Sequence, residues 1–219
     1  MPTHHLSDEL LLDYAAGNLD AMTGMLVATH LALCPICRAA VSDFDLFGGS
    51  LLETLPTANL TDGALDRAMT AIEGMPVDPP HLAAAAKGHP ATDLLPRPLR
   101  DVVGDDVERL DWRRRFPGVQ EAFIATSPDG PTASLLRIQA GRAVPRHTHQ
   151  GEEYTMVLSG GFTDHLGSFR RGDVAITDDT VQHRPVADLD GDCLCLAVTD
   201  APLHFAGPLG WLINPFLRA

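Results

Sequence analysis

The spacing of His147, His149 and Glu153 between two glycines, Gly141 and Gly160, constrains the C-terminal half of this chain more tightly than any other feature. In a β-strand, side chains two residues apart point to one side, so His147 and His149 can face a common interior point. Glu153 follows after a turn and can return from the next strand. His183, between Thr180 and Pro185, can reach the same point from a later strand. Three imidazoles and one carboxylate suit a borderline divalent ion such as Zn, Mn, Fe or Ni. Inside a barrel such an ion would keep open positions, which permits chemistry without demanding it. A His-x-His pair alone is as readily a surface pair, but four ligand types at strand-compatible positions argue against that. Glu152 is the rival to Glu153, or a hydrogen-bonding neighbour behind it.

The surrounding sequence predicts strands. Residues 121–125, 133–138, 154–159, 161–165, 173–177 and 193–198 are short runs divided by Gly, Pro and Asp, with no long helical pattern between them. This argues for a β-sandwich or barrel over residues 101–219. Cys193 and Cys195 alternate with Leu194 and Leu196, so the two thiols share one side. Core packing is the simplest reading, because a disulfide between them would be strained. Trp112 and Trp211 read as packing residues, and Arg146 and Tyr154 as side chains that could face a cavity.

The first 75 residues read differently: helical, with ten acidic residues against two basic. Ser7 can cap a first helix that Gly17 ends, and Asp20 a second carrying Met22, Met25, Leu26 and His30. A third starts near Cys34, with Pro35 in its first turn. A fourth spans 62–73, with Leu65, Met69 and Ile72 three or four apart. A bundle of three to four helices this small has a marginal core and gains from a staple. His30, Cys34 and Cys37 offer one. Cys-x2-Cys lets two thiolates grip one zinc, and His30 lies one helical turn before them. The pair could instead be a redox dithiol or two packed thiols. The candidates for a fourth ligand are His4 and His5, with spacing favouring His5. Residues 76–100 hold six prolines and predict a linker, or an arm laid over a domain surface, with His81 and His89 binding nothing.

The formal charge of −13 disfavours direct nucleic-acid binding, and the Arg113–Arg115 patch is too short to reverse that. An acidic protein can still engage the basic surface of a DNA-binding partner. No apolar run is long enough to span a membrane, and the N-terminus lacks a secretory pattern. The expectation is a cytoplasmic protein.

At His5, His30, Cys34 and Cys37 the chain resembles the zinc-binding anti-sigma domain, a histidine followed about 25 residues on by His-x3-Cys-x2-Cys. That resemblance implies a small zinc-holding helical bundle that wraps a sigma factor of the extracytoplasmic-function group. Gly141, His147, His149, Glu153 and Gly160 match the first cupin motif. Gly172, Asp173 and His183 fit the second, although Arg170 and Ala187 depart from it. This implies a single cupin, a double-stranded β-helix or jelly-roll barrel, with His147, His149, Glu153 and His183 as its metal ligands. The order of the two modules is similar to that of the ChrR-type anti-sigma factors. In that family the head holds sigma, and the cupin is required for release on singlet oxygen or related oxidants.

Two functional readings follow. In the first, the head inhibits a sigma factor, gripping it through a groove rich in Met22, Met25, Leu26 and Phe44, and the cupin responds to the oxidant; no catalytic residue is assigned. In the second, the three-His/one-Glu site is a dioxygenase- or isomerase-like enzyme; a storage or scaffold cupin is a third. A homodimer through the cupin sheet faces is expected as an option, with the head competing for that surface.

Overall fold

A computed structural model describes residues 1–75, 94–126 and 130–200, together with the backbone of residues 204–205. The expectations for His81, His89 and Trp211 lie outside these residues.

The helices begin where side chains can take the first free N–H groups. Ser7 accepts from Leu10 N–H and opens α1 (Asp8–Ala15), whose first turn carries Asp8 and Glu9. Asp20 accepts from the Met22 and Thr23 N–H groups and opens α2 (Ala21–Leu33). Cys34 ends α2 and caps α3 (Pro35–Thr54). The fourth predicted helix forms as α4 (Ala64–Glu73), but it buries no residue. The bundle is closed instead by α5 (Arg97–Val103), which comes from the end of the Pro-rich stretch, packs on α2 and buries Leu99. Among the described residues no single helix is long and apolar enough to cross a membrane; α2 and α3 meet both conditions only when taken together, across a 117° bend.

The strands are β1 (Trp112–Phe116), β2 (Val119–Thr126), β3 (Thr132–Ile138), β4 (His147–Thr148), β5 (Glu153–Ser159), β6 (Gly161–Asp164), β7 (Gly167–Arg170), β8 (Val174–Thr177), β9 (Val186–Ala187), β10 (Cys193–Thr199) and β11 (His204–Phe205). A six-stranded sheet runs in the order β1-β2-β3-β10-β5-β8, a three-stranded sheet in the order β7-β6-β9, and β11 pairs with β4. Every pairing is antiparallel. The result is a helical N-terminal region followed by a β-rich region, with no sheet closed on itself among the described residues.

Strand β10, central in the large sheet, is buried on both faces, which explains its unbroken apolar run. Cys193 and Cys195 face inward, with Val157, Phe162 and Phe169, in a core shared by the large and three-stranded sheets. Leu194, Leu196 and Val198 face outward. There they share a second core with Leu135, Met156 and Leu158 of the sheet and with Leu11, Leu26, Val27 and Leu31 of the helices. The alternation predicted for the two cysteines is therefore observed, and their sulfurs lie 3.4 Å apart.

This shared core corrects one expectation and fits another, that the head competes for a sheet face. Met25 and Leu26 are buried in it, and Met22 and Phe44 pack against it, so the groove expected at these four residues is not open. The helices also cover the outer face of β5 and β10, a sheet face of the kind expected to serve a homodimer. The apolar surface left exposed lies further along: Leu46, Phe47, Leu51 and Leu52 on α3, and Leu65, Met69 and Ile72 on α4.

Candidate metal centres

The fold gathers two sets of ligand-type side chains, and within each set one donor atom per residue lies within 4.8 Å of all the others. They are His5, His30, Cys34 and Cys37 in the helical region, and His147, His149, Glu153 and His183 in the β-region.

The first set sits at the bend between α2 and α3. His30 is in the last turn of α2, Cys34 is the joint, and Cys37 is in the first turn of α3. His5 arrives from the segment before α1. His30 Nε2 lies 3.2 Å from Cys37 Sγ, and His5 Nδ1 lies 3.3 Å from Cys34 Sγ and 3.6 Å from Cys37 Sγ. His4 goes elsewhere. Its ring stacks 4.3 Å from that of Phe169, and its Nδ1 is 3.6 Å from the Asp173 carboxylate. Of the two histidines left open by spacing, His5 joins the set.

Electrostatics prepare this set for a cation. His30 Nδ1 lies 2.8 Å from the Gly172 carbonyl, which can only accept, so Nδ1 carries the proton. The lone pair of Nε2 then points into the set. Burial lowers the His30 pKa and keeps the ring neutral, against the opposing effect of that backbone contact. Burial, and next to it Cys34, pushes the Cys37 thiol up to about 11. A thiolate at neutral pH therefore needs a cation beside it, and binding one must release a proton. Two sulfurs and two imidazoles are the donor set of a structural zinc site, and these residues fit it.

The second set is held by β4, the start of β5, the residue His149 between them, and a bridge at His183. His147 and His183 exchange backbone hydrogen bonds of 3.1 and 3.0 Å. Thus His183 stands in an isolated bridge rather than the predicted strand. His147 Nδ1 donates to the Pro145 carbonyl at 2.7 Å, and His183 Nδ1 donates to the Asp164 carboxylate at 2.9 Å. Both Nε2 atoms are thereby left as lone pairs, yet they face each other at 3.0 Å, with His149 Nε2 3.1 Å from that of His183. Lone pairs converging at this range repel unless a cation lies among them. His149 Nδ1 and Glu153 Oε2 approach to 2.7 Å, but out of line, and both are buried without a hydrogen bond.

Three of these residues, His147, His183 and Glu153, also hold the protonation states that a metal requires. Burial lowers His147 to about 4 and also lowers His183, so both are neutral. Burial is the largest influence on Glu153 and opposes its charge, but His149, His147 and the Thr155 hydroxyl together outweigh it and lower the pKa, keeping the carboxylate ionised. Glu152, the alternative, is exposed and accepts from the Tyr154 hydroxyl at 2.6 Å. A cavity of about 370 Å³ beside His183 is lined by Arg146, His165, Gln182 and Arg184. Tyr154 is turned toward the helical side and does not line it.

Three supporting residues were given no role at these sites from the sequence. Asp164 fixes His183 from behind. Gly172 and Asp173, legible only as part of a cupin motif, face the helical region.

Residues 101–202 match the family described as the ChrR Cupin-like domain. The chain is 42% identical over 215 residues to anti-sigma-E factor ChrR of Cereibacter sphaeroides, covering 98% of each. It also aligns with a chain in the crystal structure of Rhodobacter sphaeroides SigE in complex with the anti-sigma ChrR. That alignment has a TM-score of 0.77 and 40% identity, over 91% of this chain and 100% of the other. An RmlC-like cupin protein from Ralstonia eutropha JMP134 aligns over 48% of this chain and 71% of its own, at 22% identity and a TM-score of 0.42.

Proposed function

The chain belongs to the family of the anti-sigma factor ChrR, and from that premise we propose that it binds and inhibits a sigma factor of the extracytoplasmic-function group. It is a regulator rather than an enzyme. The observation that carries the mode of binding is the bare apolar face at the end of the helical region. Leu65, Met69 and Ile72 are 70%, 48% and 61% exposed on α4, a ten-residue helix that buries nothing. A helix of that length is marginal alone and gains stability by laying an apolar face on a partner. The exposed Leu46, Phe47, Leu51 and Leu52 of α3 extend the surface. A sigma factor is the occupant proposed, because the aligned relative was crystallised in complex with one. The acidic surface around the patch would speed encounter with basic sigma surfaces.

In this reading residues 1–75 form the sigma-binding unit, residues 76–100 connect it, and residues 101–219 form a cupin of double-stranded β-helix type. His5, His30, Cys34 and Cys37 would hold a structural zinc that fastens α2 and α3 to the segment before α1. His147, His149, Glu153 and His183 would hold a second divalent ion, Zn, Mn, Fe or Ni, within the cupin. The cupin would supply the response to singlet oxygen or another oxidant and the release of sigma. The protein would act in the cytoplasm without touching DNA or membrane. A homodimer through the outer face of β5 and β10 would need the helices to leave it.

Mixing the full chain with candidate sigma factors and following complex formation by size exclusion tests the proposal. The expected result is a one-to-one complex that Leu65→Asp/Ile72→Asp abolishes while metal content stays unchanged. No complex from zinc-loaded protein with any such sigma factor would refute it.

A further inference from the structure

The two candidate metal sets are joined by a short bridge built from the turn between β7 and β8. The N-terminal strap, Pro2 to His5, lies on this turn. Asp173, itself buried, accepts from Thr3 N–H at 2.6 Å and from His4 N–H at 2.9 Å. Val174 N–H donates to the His4 carbonyl at 3.4 Å. The residue after this clamp is His5. From the same turn, the Gly172 carbonyl accepts a hydrogen bond from His30 Nδ1–H. Only a glycine fits there: φ is +90°, and a Cβ would stand 2.6 Å from Pro2 Cγ. The turn is also tied to the middle of β5, since Gly172 N–H donates to the Val157 carbonyl at 2.8 Å and Val157 N–H to that of Asp173 at 3.0 Å. Strand β5 begins at Glu153.

We infer that Gly172 and Asp173 are positioning residues for the zinc set of the helical region, so that the cupin governs how readily that set lets go of its metal. Gly172 fixes the tautomer and aim of His30. Asp173 holds the strap so that His5 stays over Cys34 and Cys37. Such outer partners orient metal ligands, and losing one typically weakens metal binding by about 10–100-fold. The path gives a disturbance at Glu153 a short covalent and hydrogen-bonded route to two zinc ligands.

The inference rests on the zinc reading above, and the experiment separates the two. The full chain is loaded with Co(II). Only thiolate-bound cobalt gives an intense near-ultraviolet charge-transfer band, so that band follows the cysteine-containing set alone. Its decay into excess EDTA is timed for the unmodified protein, for Asp173→Ala, and for Thr3→Pro, which removes the strap's 2.6 Å donor and leaves the cupin untouched. Both variants are expected to show the same band and to lose it about tenfold faster, with cobalt in the cupin retained. Decay within about twofold of the unmodified protein for Thr3→Pro overturns the inference, even if Asp173→Ala fails to fold. Absence of the band in the unmodified protein overturns the zinc reading, and this inference with it.

Discussion

The two ligand sets use similar side chains but are built in opposite ways. The cupin set is internal to one sheet structure: its four residues span 147–183, all four are buried, and its supporting groups, Pro145 and Asp164, belong to the same unit. The helical set reaches across the molecule. His5 lies 29 residues from Cys34, and the group that fixes His30 lies 142 residues away in the cupin. One site can be assembled by local strand pairing. The other exists only when a strap, a helix bend and a foreign turn are in place together. A site of the second kind is suited to a switch, because each of its supports is a point of failure.

That contrast can be broken or sharpened by experiment. The largest effect should come from Cys34→Ala/Cys37→Ala. Structural zinc in small domains contributes an apparent binding energy on the order of 10 kcal/mol, so the helical region should lose its fold and its grip on sigma, as read by circular dichroism and size exclusion. His147→Ala should spare sigma binding, measured by calorimetry, while emptying the cupin set alone. If it also abolishes sigma binding, the division between the two sets is wrong. Asp164→Asn, which removes the charged partner of His183, should weaken cupin metal binding by about 10–100-fold in a competition titration and leave the cobalt–thiolate band untouched.

Proton linkage should separate the sets further. Cys37, raised to about 11, must lose a proton to bind metal. The apparent affinity of the helical set should therefore climb as pH rises toward that value, by about tenfold per unit for each proton released. His147, lowered to about 4, is already neutral above about pH 5, so it should add no proton competition to metal binding in the cupin set from there upward. Metal titrations at several pH values would show the two slopes. The smallest effect is at a cap. Asp20→Ala should cost about 1 kcal/mol of stability in a denaturant melt and change neither metal content.

What the sequence made legible follows a physical line. Helix starts at Ser7, Asp20 and Cys34 were readable because capping is local. The two ligand sets were readable because metal coordination demands particular residues at strand or helix spacing. The alternation of Cys193 with Leu194 placed both faces of β10 correctly. Strands β1, β7, β9 and β11 and helix α5 escaped notice. Strands β1 and β7 are mostly exposed hairpin partners of β2 and β6 with little apolar alternation of their own, whereas β9, β11 and α5 are short and held by pairing or packing with distant residues. The exposed apolar face was misplaced for a related reason. Met25 and Leu26 looked like an open groove because nothing in residues 1–75 reveals that a sheet covers them, whereas α4 looked like a core helix and proved bare. The links from Gly172 and Asp173 to His30 and the strap left no local trace.

The most direct test of the account is elemental analysis of the purified full chain beside Cys34→Ala/Cys37→Ala and His147→Ala. The account predicts two divalent ions per chain, zinc among them, with one lost in the cysteine variant and the other in the histidine variant. A single ion per chain, or both ions lost together in either variant, would contradict it.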